Sequence, residues 1–286
     1  MTRRIFTRYS TGVSVVLGSQ AEGWVTTCGM KTRYLEAGHG KAKHILFIHG
    51  LGSSADRWLD IPLALSLDHH TIAVDLPGFG MSEKPSSGMH YSIEEYADFI
   101  AQLLYDLKID DGKVSLVGHS LGGFIAAETT ITHRRLIDRL VLVDTSGMLN
   151  GPTPLLEQYL AASMNPTRES VRRVFEQLVA NPIRIPDFLV DAFIYRIGLP
   201  GAKEAFRLAY ENSVNTQIGK KRLGKIAGIK TLIIWGKEDK LIPFKYLSLF
   251  KKSINGSRVE LVEDAGHAPF AEKPAVVFEI IRRFLS

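Results

Sequence analysis

The sequence predicts a doubly wound α/β domain interrupted by a helical insertion, and three observations carry that expectation. Short apolar runs rich in β-branched residues recur without clean alternation of polar and apolar positions. Runs of that kind suit strands buried on both faces, as in a parallel sheet covered by helices on either side. Helical patterns lie between several of these runs, and strand alternating with helix selects a doubly wound core. From about Met148 to Gly228 the strand rhythm stops and helical patterns follow one another. At 286 residues the chain is long enough for one such core carrying an insertion.

Taken in order, the N-terminal "MTRRIFTRYSTGVSVVLGSQAEG" begins with a basic pair, but Arg8, Tyr9, Ser10 and Thr11 interrupt any apolar run, so no signal peptide is expected. Gly23 to Gly38 suits an antiparallel hairpin at the sheet edge. The runs "HILFIHG" (44–50) and "TIAVDLPG" (71–78) then read as strands. Ser92 to Leu107 reads as a helix, because Ile93, Tyr96, Ala97, Ile100, Leu103, Leu104 and Leu107 form one stripe. Ser92 and Glu95 make a capping box at its start.

"VSLVGHS" (114–120) is the next strand, Leu121 to His133 a helix of small residues, and "LVLVDTSG" (140–147) a further strand. In the insertion, Thr167 after Pro166 is a candidate N-cap for a helix whose stripe is Val171, Val174, Phe175, Leu178 and Val179. Two more helices follow, divided near Leu199-Pro200-Gly201. The core resumes with "TLIIWG" (231–236), a helix from near Pro243, "RVELVED" (258–264) and a final helix. The expected division is therefore a core of residues 1–147 and 229–286 with a helical segment of 148–228.

The composition is 45% hydrophobic and 23% charged, inside the range of folded globular chains. The net charge is +5, but its densest groups, Arg134-Arg135, Lys220-Lys221-Arg222 and Arg282-Arg283, are dispersed and lack interleaved aromatic platforms. Solvated surface is the better reading of these groups, and no nucleic-acid partner is expected. The single Cys28 excludes an internal disulfide and a multi-cysteine zinc site, and fits a reducing compartment. No segment approaches the roughly twenty apolar residues of a spanning helix. A soluble, cytoplasmic protein without membrane association is expected, as a monomer or a homodimer.

The chemistry centres on "GHSLGG". Gly-x-Ser-x-Gly alone is a weak signal, but Ser120 stands between a strand and a helix. A sharp turn there forces unfavourable backbone angles on the serine and brings two segments together, and glycines at 118 and 122 remove the side chains that would collide. An N-cap role alone explains Ser120 but not the two glycines. The helix start also offers N–H groups and a positive dipole end to a developing oxyanion.

A serine hydroxyl needs a base and a group to orient that base. "EDAGHAPFAEKP" places His267 in a turn beyond a strand, and "WGKEDKLIP" places Asp239 just beyond another. Asp144, at the end of "LVLVD", is the rival acid, and the chain order Ser, Asp, His favours Asp239. In "FIHGLGSSADRW" the backbone N–H of Leu51, with that of Leu121, is placed to form an oxyanion hole. A phosphate loop is set aside because the Gly-Lys-Ser/Thr ending is missing. In "VDLPGFGMSEKP", Asp75 is expected to bond the loop backbone while Gly78 and Gly80 shape the turn.

With these motifs in order, "HGLG", "DLPGFGMS", "GHSLGG" and the pair "GKEDKLIP" with "GHAPFAEKP", the chain resembles the α/β-hydrolase superfamily from about Gly23 to Phe284. The resemblance implies an eight-stranded, mostly parallel sheet, a helical cap inserted after the strand ending at Asp144, and no cofactor. Ser120 argues against haloalkane dehalogenases and epoxide hydrolases, which use an aspartate nucleophile. Meta-cleavage product hydrolases keep Ser, Asp and His, with a cap arginine and a tryptophan after the histidine. Here Ala268 follows His267, and alignment through Pro200 puts Ala192 at the arginine, with Arg196 nearby. The resemblance therefore implies first a carboxylesterase acting on small to medium acyl esters. A carbon–carbon hydrolase and a hydrolase-fold receptor are the alternatives. Met148, Tyr159, Met164, Phe175 and Tyr195 are candidates for the acyl pocket.

Overall fold

A computed structural model describes residues 19–181 and 185–286. The stretch ahead of Ser19, on which the signal-peptide expectation mostly rests, lies outside the described residues.

Strands β1 (Ala21–Thr27) and β2 (Met30–Ala37) form the antiparallel hairpin expected at the sheet edge. Its two-residue turn has both φ values positive, 51° at Cys28 and 77° at Gly29, the combination that matches the twist of paired strands. Strands β3 (His44–Ile48), β4 (His70–Val74), β5 (Val114–His119), β6 (Ile137–Val143), β7 (Lys230–Gly236) and β8 (Arg258–Val262) follow. The eight strands form one sheet in the order β1-β2-β4-β3-β5-β6-β7-β8, parallel from β4 onward.

The continuous apolar runs have the predicted cause. Leu46, Ile48, Leu116, Leu140 and Ile233 belong to a core on one face of the sheet. Their neighbours in sequence, Ile45, Phe47, Val117, Val141 and Ile234, belong to a second core on the other. Alternate residues point to opposite faces of a strand, and both faces here are covered.

The helices in chain order are α1 (Ile61–Leu65), α2 (Ile93–Asp106), α3 (Leu121–Thr132), α4 (Pro154–Met164), α5 (Arg168–Leu178), α6 (Asp187–Ile197), α7 (Ala202–Asn215), α8 (Lys220–Leu223), α9 (Leu247–Ser253), α10 (Pro269–Glu272) and α11 (Pro274–Leu285). Ser92 and Glu95 close the capping box of α2. Thr167 caps α5, with Ser170 returning the bond. The break near Leu199-Pro200-Gly201 separates α6 from α7. Pro243 opens a single 3-10 turn, and α9 begins only at Leu247. Helices α4 to α8 fill the interval between β6 and β7 and pack on the core that also holds the ends of β3 and β5. The pair Arg222 and Glu128 ties α8 to α3.

Asp75 ties its own loop to the turn at Ala55 and to strand β2. Its fully buried carboxylate accepts N–H bonds from Ala55 (2.6 Å) and Met81 (2.8 Å) and pairs with Arg33 at 3.2 Å. Gly80 adopts a φ of 53°, and a Cβ there would lie 2.2 Å from the Asp75 carboxyl, so the turn and the aspartate require one another. Asp75→Ala leaves those donors unpaired and is expected to cost about 3 kcal/mol of unfolding free energy, measured by chemical denaturation. A loss below about 0.5 kcal/mol, the range of ordinary surface changes, would contradict this role.

Candidate active site

The side chains singled out by sequence converge at the C-terminal ends of the parallel strands. Ser120 follows β5, Asp239 follows β7, His267 follows β8 and Leu51 follows β3. Ser120 has φ 54° and ψ −118°, a conformation that costs a non-glycine residue energy. The turn holds it by its backbone. Its N–H donates to the Val143 carbonyl at 3.0 Å, and its carbonyl accepts from Gly123, Phe124 and Ser146. The hydroxyl caps nothing in α3, so the N-cap explanation fails. A Cβ at Gly118 would lie 2.2 Å from the Gly122 carbonyl oxygen, and one at Gly122 would lie 2.2 Å from that of Ile48. Both glycines answer to close backbone approach.

His267 Nδ1 lies 2.7 Å from Asp239 Oδ2, with both side chains buried. Asp239 Oδ1 accepts the N–H groups of Leu241 (2.8 Å) and Ile242 (2.9 Å), which orients the carboxylate. Asp144, the rival acid, instead accepts the Gly236 N–H at 2.9 Å. Ser120 and His267 line one cavity without a hydrogen bond between their side chains. Such contacts commonly tighten only when substrate is bound. Leu51 lines the same cavity, whereas the Leu121 side chain is in the core. Neither N–H donates to an acceptor among the described residues, and that of Leu121 is a free first-turn donor of α3.

Several residues that received no role from the sequence hold this arrangement. His49 donates from Nδ1 to the Gly50 carbonyl (2.8 Å) and accepts the Leu76 N–H at Nε2 (3.0 Å), which fixes one neutral tautomer. His119 Nε2 donates to the His267 carbonyl at 2.7 Å. Burial holds His49 below the usual histidine range and holds His119 well below it, the His267 ring adding to the effect at His119. Glu272 accepts the N–H of Gly266 (2.7 Å) and of Ala180 (2.8 Å), joining the His267 loop to the segment after α5. The His267 N–H itself donates to the Leu178 carbonyl at 2.8 Å. The helical insertion therefore touches the His267 loop through its backbone.

Of the pocket candidates, Tyr159 and Phe175 line the cavity. Met148 and Met164 instead pack half-buried against the core. Tyr195 is 61% exposed, because Leu189, Phe193 and Arg196 form the face of α6 that turns inward. Of the two positions that the resemblance offers for a cap arginine, Arg196 lines the cavity and Ala192 does not. Arg57, also lining it, was missed altogether. Burial lowers its pKa, and its guanidinium has no hydrogen bond or ion pair among the described residues. Arg196 Nε is likewise buried without a partner. Two guanidinium groups thus meet a cavity whose remaining walls are largely apolar.

The family model for the alpha/beta hydrolase fold matches residues 43–274, and the chain belongs to that family of hydrolases. It is 29% identical over 282 residues to an uncharacterized protein of Mycobacterium tuberculosis, covering 91% of this chain and 80% of that one. It is 29% identical over 280 residues to the 2-hydroxy-6-oxo-6-(2'-aminophenyl)hexa-2,4-dienoic acid hydrolase of Metapseudomonas resinovorans, covering 93% of this chain and 91% of that one. Among solved structures, a bacterial membrane phospholipase A superposes with a TM-score of 0.81 at 25% identity, covering 93% of this chain and 86% of that one. No helix among the described residues is long and apolar enough to cross a membrane.

Tyr159, from α4, donates its hydroxyl to the Leu51 carbonyl at 3.1 Å and so braces the loop that carries the Leu51 N–H. On the proposal that the Leu51 N–H holds a developing oxyanion, Tyr159→Phe is expected to lower kcat about three- to tenfold with KM within twofold. A raised KM with kcat unchanged would assign Tyr159 to substrate binding instead.

Proposed function

We propose that this protein is a carboxylic ester hydrolase working through an acyl-enzyme on Ser120, with His267 as general base and acid and Asp239 orienting its ring. The observation that carries the reading is the conjunction at one cavity of a strained, uncapped serine and a histidine bonded to a buried aspartate. Ser120 attacks the ester carbonyl while His267 takes its proton. The Leu51 and Leu121 N–H groups hold the tetrahedral oxyanion, and His267 then protonates the departing alcohol. Water deacylates the serine by the same route. The helical segment 148–228 serves as the cap and supplies the acyl wall through Tyr159, Phe175 and Phe193. The likeness to a phospholipase A supports ester chemistry.

Arg57 and Arg196 refine the substrate. A half-buried cation without a partner is costly, and a carboxylate on the substrate relieves that cost. The same feature favours one second reading, a carbon–carbon hydrolase for dienoic acids like that of Metapseudomonas resinovorans. Ala268, in place of a tryptophan after His267, weighs against it.

Steady-state hydrolysis of neutral p-nitrophenyl esters tests the reaction. Ser120→Ala is expected to lose at least about a thousandfold in kcat. Activity is also expected to fall as pH drops through the imidazole titration, because imidazolium takes no proton from serine. A rate flat from about pH 5 to 8 would remove His267 as the base. Against neutral esters of equal length, a mono-p-nitrophenyl dicarboxylate is expected to gain at least about tenfold in kcat/KM, a gain that Arg57→Gln and Arg196→Gln each reduce. Equal rates on both esters would dismiss the acidic substrate while leaving the ester chemistry standing.

A further inference from the structure

Asp144 ends β6 with a φ of 43° and no exposed surface. Its backbone N–H donates to the Ile234 carbonyl (3.0 Å) and its Oδ1 accepts the Gly236 N–H (2.9 Å), so strand β7 grips it at two points. Its Oδ2 is buried and receives no hydrogen bond among the described residues. Carboxylate oxygens of Asp144 and Asp239 and a ring nitrogen of His267 all lie within 4.8 Å of one another.

Two carboxylates this close and out of water do not both ionise. The charge settles where the donors converge. Among the described residues Asp239 accepts N–H bonds from Leu241, Ile242 and His267, whereas Asp144 accepts only that of Gly236. Burial first, and Asp239 next, push the Asp144 carboxyl well above the usual carboxylate range, with Glu272 of α10 acting in the same direction. The other titratable groups at this point are the His267 ring and, stacked beside it, the His119 ring, which burial keeps neutral.

We propose that Asp144 is a positioning residue: a neutral carboxylic acid whose Oδ2–H donates to the Asp239 carboxylate and so sets how strongly Asp239 stabilises the His267 imidazolium. One proton serves two carboxyl groups, and no covalent bond forms or breaks. A carboxylate that receives this additional donor is a weaker base, so the imidazolium is less stabilised and activity persists to lower pH than it would with Asp239 alone. The inference rests on the ester-hydrolase reading only for its kinetic readout.

Asp144→Asn separates the possibilities, because an amide can still accept from Gly236 while donating to Asp239. The acid limb of kcat/KM is expected to stay within about 0.3 pH unit of wild type, with the rate within about threefold, as for replacement of one neutral donor by another. An ionised Asp144 gives a different result. Removing a full charge a few ångströms from the ring would drop the limb by on the order of one unit or more, and that overturns the proposal. Asp144→Ala, which deletes the donor, is expected to raise the limb by roughly half a unit. An Asp144→Ala profile identical to wild type would also overturn it. If Asp144→Ala does not fold, Asp144→Asn still decides the charge state. The His267 ring titration followed by NMR in the resting protein should move in the same directions. It needs no turnover, so a failure of the ester reading is distinguishable from a failure of this one.

Discussion

Everything at this site depends on how closely the backbone at Ser120 is packed. Strand β5 turns into α3 within a single residue, and the first turn of α3 lies against the end of β3 so tightly that Gly122 has no room for a Cβ beside the Ile48 carbonyl. Such crowding is tolerable only because the turn is over-determined, with Ser120 bonded to Val143 on one side and to Ser146 on the other. The strain aims a hydroxyl into the cavity and leaves the first donors of α3 unused. It also brings the loop after β3, with its own spare N–H at Leu51, alongside them.

The charges around that turn follow from burial. His49 and His119 are kept neutral by the interior and act as fixed hydrogen-bonding struts, one between two loops and one under His267. Asp239 collects the N–H groups of its own loop as well as the imidazole. The guanidinium groups of Arg57 and Arg196, which line the same cavity, have no such support among the described residues, so their compensation falls to whatever enters. An oriented triad of Ser120, His267 and Asp239 in a cavity with unpaired cations is the arrangement expected where one part of a site does chemistry and another selects the substrate.

Much of this was legible in the sequence because it depends on local constraints. Strands buried on both faces leave continuous apolar runs, capping boxes are written in four residues, and each of Ser120, Asp239 and His267 stands just past the end of such a run. What was not legible depends on rotation about a helix or on packing between distant segments. Tyr195 and Arg196 are adjacent in sequence, yet one faces solvent and the other the cavity, and only the docking of α6 decides which. Arg57 sits in a 3-10 turn whose first residue, Ala55, is held by Asp75, twenty positions further along the chain. The start of β6 was missed because Asp138 and Arg139 break its apolar pattern at the sheet rim. Asp144 was read as a competitor for His267, when its geometry makes it a neighbour of the acid that holds the ring.

The proposal that Ser120 carries the acyl group is tested by mass analysis of the protein quenched in acid during turnover of p-nitrophenyl acetate. An acetyl group is expected on the peptide containing Ser120 in the wild type, formed in a burst and absent from His267→Ala. Turnover at wild-type rate with no adduct, or with the acetyl group on another residue, would contradict it.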